Sequence, residues 1–292
     1  MHFITFFTEG GEFDRGTDLT DQKLSLLELI NTDFATKTAY SPRRLINLDQ
    51  KWKAIFEDKR EYMHQQLPHF DKNMAWNINW AALNFLLWKP ALIAHVLKHD
   101  ERIAYGDIIF YHDVDLKKYP SYKYDIKSWG NFIKEKMGSR CVLLFNDNDL
   151  RLSNDVKSEL LLKYFENAEK AKNLHHIWAG ALAIKKSEYG LQFANRWLKL
   201  TNELENRSQL TIYSNEPGFH WHSQEQACLS VLYHKEKHLS QVNCEFLNGD
   251  RCIPPKKLSY LSWKYQKHTP IIVQKALKKF KSVIVLLKDR IL

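Results

Sequence analysis

Apolar positions along the chain fall into two rhythms. Short runs rich in β-branched and aromatic residues predict strands at His2–Phe7, Asp107–Tyr111, Cys141–Phe145, Trp178–Ile184 and Gln241–Phe246. Between them, three-four spacing predicts helices over Asp21–Ile30, over 50–67 (through Trp52, Ile55, Phe56, Tyr62 and Met63), and over Asp155–Phe165, Ser187–Leu200 and Gln224–Tyr233. A further helix opens at Pro90 and runs through Leu92, Val96 and Leu97, because proline suits a first turn. The loop from Thr8 to Asp18 carries Gly10, Gly11 and Gly16. Strands alternating with helices predict an α/β fold: a doubly wound, mostly parallel central sheet covered on both faces, with a mixed edge allowed.

The last stretch has a different pattern. From Ile271, Val273, Leu277, Phe280, Ile284, Leu287 and Ile291 keep helical spacing, while Lys275, Lys278, Lys279, Lys281, Lys288 and Arg290 fill the other positions. We divide the chain accordingly into a domain of residues 1–270 and a basic amphipathic helix of residues 271–292. Such a helix suits an anionic membrane surface, packing against the core or a second subunit, or nucleic acid.

Composition narrows the picture. At 292 residues, 44% of them hydrophobic, the chain can bury a full core. Its formal charge of +9 makes polyanions plausible partners without choosing among them, and much of the excess lies in the tail. No recognisable nucleic-acid-binding module is present, so nucleic acid is not the favoured partner. No run approaches the roughly 20 apolar residues of a spanning helix, and the best candidate, Val283–Leu287, is flanked by Lys281 and Lys288. Met1–Thr8 lacks a basic start and reads as a strand rather than a signal sequence. Cys141, Cys228, Cys244 and Cys252 form no CxxC pair and sit among apolar residues, as free thiols do. The expected location is cytoplasmic, with peripheral attachment to the inner face of the cell membrane through the tail.

The chemistry concentrates in Gly106–Asp115, a buried-strand run ending in Asp113-Val114-Asp115. Period-two geometry puts both carboxylates on one side. They fall beyond the carboxyl end of a strand, where open α/β sheets collect ligands. Paired carboxylates suit Mg²⁺ or Mn²⁺ holding phosphate oxygens. The same pair also reads as a turn-and-cap sequence, since aspartate accepts backbone N–H bonds in turns.

The order of three blocks resembles bacterial GT-A glycosyltransferases. Leu87-Trp88-Lys89-Pro90 matches a W-K-P segment, and Gly106-Asp107-Ile108-Ile109-Phe110-Tyr111 followed by Asp113-Val114-Asp115 matches a G-D-I-(L/I)-x-Y strand with an acidic turn. Asn215-Glu216-Pro217-Gly218-Phe219 followed by Gln224-Glu225-Gln226-Ala227 resembles an N-E-P-x-F then D-Q-S stretch, with Glu-Gln-Ala in place of the last triplet. The resemblance implies a GT-A-like, Rossmann-like catalytic domain. Its expected activity moves a sugar from a nucleotide-diphosphate donor, UDP-sugar favoured, to a glycan or lipid-linked acceptor in surface-polysaccharide or lipopolysaccharide assembly.

On that resemblance, Asp113 and Asp115 bind Mn²⁺ or Mg²⁺ and the donor diphosphate, and His268 adds a late metal ligand. Thr5, Thr8 and Gly10 receive the nucleoside. Lys89, placed just before a helix start, neutralises donor phosphate or is a solvated lysine beside a core tryptophan. Glu225 is the expected general base of an inverting reaction. His220 and His222 suit a sugar acceptor, and Trp178 and Gly180 resemble the small-residue strand behind it, where glycine allows close approach. Three alternatives stay open: a metal-dependent phosphotransferase or phosphoesterase using the same aspartates, a nucleic-acid-binding protein, and an inactive scaffold.

Overall fold

The computed structural model describes residues 1–7, 23–24, 26–27, 34–56, 87–114, 129–203, 206, 219 and 222–245. The expected helix at 271–292 and the boundary before it lie outside them, as do Thr8, Gly10, Asp115, His220 and His268.

Six strands form one sheet among the described residues: β1 (His2–Phe6), β2 (Thr36–Tyr40), β3 (Ile108–His112), β4 (Val142–Arg151), β5 (His175–Lys185) and β6 (Val242–Glu245). Their order is β2-β1-β3-β5-β4-β6. The helices are α1 (Pro42–Leu48), α2 (Lys51–Phe56), α3 (Trp88–His99), α4 (Trp129–Met137), α5 (Leu152–Asp155), α6 (Ser158–Tyr164), α7 (Ala168–Lys172), α8 (Glu188–Asn202) and α9 (Gln224–Glu236). The fold is thus α/β, a mixed sheet flanked by helices and compatible with a Rossmann-like arrangement. No described helix is long and apolar enough to cross a membrane.

The sheet is less parallel than its sequence suggests. β1 pairs parallel with β2 and β3, and β4 parallel with β6, but β5 runs antiparallel to both β3 and β4 in the middle of the sheet. A parallel neighbour needs a crossover that returns the chain to the far end of the sheet. The link from β4 to β5 instead consists of the short helices α5, α6 and α7 and closes at one end, where Arg151 pairs with His175. The helix expected over Asp155–Phe165 is α6, starting three residues later, while Asp155 closes α5.

Alternation along the strands sorts the core into two layers. Phe3 and Phe110 face one side, where Phe34 and Trp129 pack on them. Ile4, Phe6, Ile109, Tyr111, Leu144, Leu182 and Ile184 belong to the main buried cluster, with Trp88, Leu92, Val96, Phe193, Trp197 and Leu229 of α3, α8 and α9. Burying one such large side chain contributes roughly 1.5–3 kcal/mol. Ser187 caps α8 by accepting from the Gly190 N–H at 3.0 Å, and a Cβ at Gly190 would stand 2.0 Å from the Lys185 carbonyl oxygen. Only glycine lets this helix start so close to β5.

Two details of this layer place the site. The helix expected to open at Pro90 starts two residues earlier, so Lys89 lies inside α3. Trp88 is 1% exposed and stacks on Phe6 at 3.8 Å between ring centroids, which pins that first turn to β1.

Candidate functional site

The strand that ends in Asp113 is held on both sides. The Thr5 hydroxyl donates to the His112 carbonyl oxygen at 2.7 Å, and the Asp113 N–H donates to the Gly180 carbonyl oxygen at 2.7 Å. Tyr111, two residues earlier and on the same strand face, donates its hydroxyl to Asp113 Oδ1 at 2.6 Å. Asp113 is thereby oriented toward the start of α3 rather than left to rotate.

Lys89 meets it there. Its Nζ lies 3.2 Å from Asp113 Oδ1, 3.3 Å from Glu225 Oε1 and 3.3 Å from the Ala179 carbonyl oxygen, to which it donates. It also lies 5.6 Å from the Trp88 ring centroid and 5.5 Å from that of Tyr111, within cation–π range. An ammonium has three N–H groups, and three acceptors surround this one. The expectations that Lys89 stands just before a helix start, or is a solvated lysine, give way to a different arrangement. The side chain is buried, and its charge links two carboxylates that belong to β3 and α9.

Glu225 is 2% exposed. Burial pushes its carboxyl up to about 7; Lys89 opposes that rise and Asp113 adds to it. Its second oxygen, Oε2, is buried and has no hydrogen-bond partner among the described residues, and neither has the buried Gln224 Oε1. Gln224 has φ 49°, the one described non-glycine residue with positive φ. Such a conformation costs roughly 1–3 kcal/mol and persists only where the surroundings over-determine it.

Those surroundings form a closed hydrogen-bond network. The Gln226 side chain accepts from the Ala179 N–H at 3.1 Å and donates to His176 Nδ1 at 3.0 Å. That fixes the imidazole proton on Nε2, which donates to Ser223 Oγ at 2.9 Å, and Ser223 Oγ donates to the Asp155 carbonyl oxygen at 2.9 Å. Ser230 Oγ accepts from the Ile177 N–H at 2.9 Å. The first turn of α9 is thus stitched to β5, and with it the Glu225 carboxylate.

β5 is irregular where it serves both groups. On β4, Leu144 and Phe145 are consecutive, but their partners on β5 are Leu182 and Trp178. The extra residues of this bulge supply the carbonyls of Ala179 and Gly180 and the Ala179 N–H used above. A Cβ on Gly180 would stand 2.1 Å from the Trp178 ring, so the approach permitted by this glycine is taken by the chain's own indole, not by a ligand. Trp178 also packs edge-on to His112 at 5.6 Å.

Other expected site residues are placed differently. Thr5 is fully buried and braces two strands. His222 is also fully buried, and its Nε2 donates to the Asn206 carbonyl oxygen, so it supports the approach to α9 instead of presenting an imidazole to a sugar. Burial depresses His222 to about 3 and His112 to about 4. Sequence reasoning missed Tyr111 and assigned no role to Gln226 or His176. Tyr111 was reachable through the period-two rule that placed Asp113, whereas the partners of His176 could not be read without the fold.

A hard divalent cation needs several oxygen ligands. Among the described residues no three of His, Cys, Asp and Glu gather to hold one. Asp113 keeps its side chain 32% exposed, and its Oδ1 already serves Tyr111 and Lys89, so it fits a cation as a single ligand. The other expected ligands, Asp115 and His268, are outside the described residues.

Neither family models nor curated protein sequences give a match to this chain.

Proposed function

We propose that the chain is a glycosyltransferase that moves a sugar from a nucleotide-diphosphate donor, UDP-sugar favoured, to a hydroxyl of a glycan or lipid-linked acceptor in surface-polysaccharide assembly. One observation carries the reading. Lys89, Asp113 and Glu225 come from the three separate blocks that resemble GT-A enzymes, and they meet around a single ammonium at 3.2–3.3 Å.

The chemistry of the group agrees with the role. A general base works best with a pKa near the operating pH, and burial brings Glu225 to about 7. Lys89 holds Oε1 and leaves Oε2 to take an acceptor hydroxyl proton. Asp113, with Asp115, would hold Mn²⁺ or Mg²⁺, which when bound supplies positive charge to the departing diphosphate. Thr8, Gly10, His220 and His268 keep the donor, acceptor and metal roles implied by the resemblance. The tail at 271–292 would rest on an anionic membrane surface at the cytoplasmic face.

The test is a thermal-shift panel of UDP-, GDP-, CMP- and dTDP-sugars with and without Mn²⁺, since a ligand that binds only the native state raises its apparent stability. We expect one nucleotide class to stabilise the protein in a cation-dependent way, and Asp115→Ala to lose the effect. Transfer by the stabilising donor should rise with pH through about 7 as Glu225 loses its proton. An equal response from Asp115→Ala would refute the assignment, and release of phosphate from simple esters would favour a phosphotransferase on the same aspartates.

A further inference from the structure

We infer that the Glu225 end of this cluster is a saccharide subsite, recognising sugar hydroxyls, and that phosphate is bound elsewhere. The inference deepens the glycosyltransferase reading and rests on it for its biological sense, but its physical basis is separate.

The first ground is saturation. Lys89 is the only cation described in the cluster, and its three N–H groups already face Asp113 Oδ1, Glu225 Oε1 and the Ala179 carbonyl oxygen. A phosphate would have to displace one of them. The second is charge. Asp113 alone balances Lys89 before Glu225 is counted, so with Glu225 ionised the three side chains carry a net negative charge, and with it protonated they are neutral. A phosphate gains nothing from either state, whereas a neutral polyol tolerates both.

The third ground is the pattern of unused polar atoms. Glu225 Oε2 and Gln224 Oε1 are buried and lack donors. A buried acceptor without a partner is costly, and a ligand that brings hydroxyl donors recovers that cost. A site that hydrogen-bonds a hydroxyl also rejects analogues lacking it strongly, which is the selectivity a sugar-transferring enzyme needs. These acceptors are fixed in place, because the closed network from Gln226 through His176 to Ser223 holds the left-handed turn at Gln224.

The probes are a set of neutral methyl glycosides (gluco, galacto, manno and N-acetylglucosaminyl) and inorganic pyrophosphate, tested on the full chain by ligand-observed saturation-transfer NMR. At least one glycoside should give a signal that excess pyrophosphate does not remove. Glu225→Gln, which keeps the shape but replaces an acceptor by a donor, should reduce that signal at least about fivefold, the loss expected for a mispaired buried group. Displacement by pyrophosphate in the wild type overturns the inference without relying on any variant. So does the absence of signal from every glycoside, or an unchanged signal in a folded Glu225→Gln protein. The two readings separate cleanly. Glycoside binding without any nucleotide-sugar binding keeps the subsite and removes the proposed donor, whereas cation-dependent nucleotide-sugar binding with a glycoside signal unchanged in Glu225→Gln keeps the transferase and removes the subsite.

Discussion

Two buried polar groups lie against the same bulge of β5 and differ in one respect. In the first, Gln226, His176 and Ser223 close a chain of hydrogen bonds in which every donor named meets an acceptor. In the second, Lys89 joins Asp113 and Glu225, and one carboxylate oxygen is left without a partner. Completeness marks the first as a structural brace. The missing partner leaves the second able to accept a hydrogen bond from a group that arrives from outside.

The largest effect should come from acid, which attacks the supports of both groups. His112, His222 and His234 are held by burial at about 4, 3 and 4, below the ordinary histidine value. In the unfolded chain they bind protons near pH 6.5, so the unfolded state takes up more protons below that pH and stability falls as pH drops. Glu225 acts in the opposite direction. Its raised folded value means that the native state holds the extra proton between its ordinary range and about 7, which stabilises the fold as pH falls through that window. Three histidines outweigh one glutamate, so urea midpoints should decline steadily from pH 6.5 toward pH 4. A flat profile there would break the claim that these imidazoles are neutral.

Lys89→Met comes next. Removing one partner of a buried ion pair costs about 3–5 kcal/mol, because two carboxylates are left facing each other. Adding Glu225→Gln should restore much of that stability without restoring transfer, and unfolding curves on the single and double variants measure both parts. Gln226→Leu strikes the closed group instead and strands the Ala179 N–H and the His176 ring, at a cost of about 3 kcal/mol in urea unfolding. If the comparison holds, its remaining folded fraction keeps the pH dependence of transfer near 7. Tyr111→Phe should be mildest. It removes one hydrogen bond to Asp113, about 1 kcal/mol, and should weaken cation dependence more than it lowers the melting temperature.

How much of this was legible before the fold was known depends on whether a feature is local. The abrupt end of an apolar run at Asp113 is local, and β3 with its carboxylate came out within a residue of expectation. So did the capped start of α8 at Ser187. Thr36–Tyr40 did not read as a strand because Thr36, Lys37 and Thr38 are polar; they form one only because β1 offers a partner edge. The pairing of Lys89 with Glu225 was hidden for a stronger reason. The two residues belong to helices far apart in the chain, and only the packing of α3 and α9 against one sheet brings them together. Their residue types showed chemistry, while the burial of Lys89 between two carboxylates stayed hidden because no sequence pattern counts how many acceptors surround an ammonium.

The irregular register of β5 carries a consequence for how this protein can vary. Ala179, Gly180 and Ala181 stand between the partners of the consecutive Leu144 and Phe145, so loss of Gly180 alone would leave the two strands out of step and shift one side of the bulge by a residue. It would also swing neighbouring carbonyls through half a turn, away from Lys89 and the Asp113 amide. A variant one residue shorter at that point would turn the side chains on one side of the bulge to the opposite face of the sheet, so the length of this strand constrains the core and the polar cluster together.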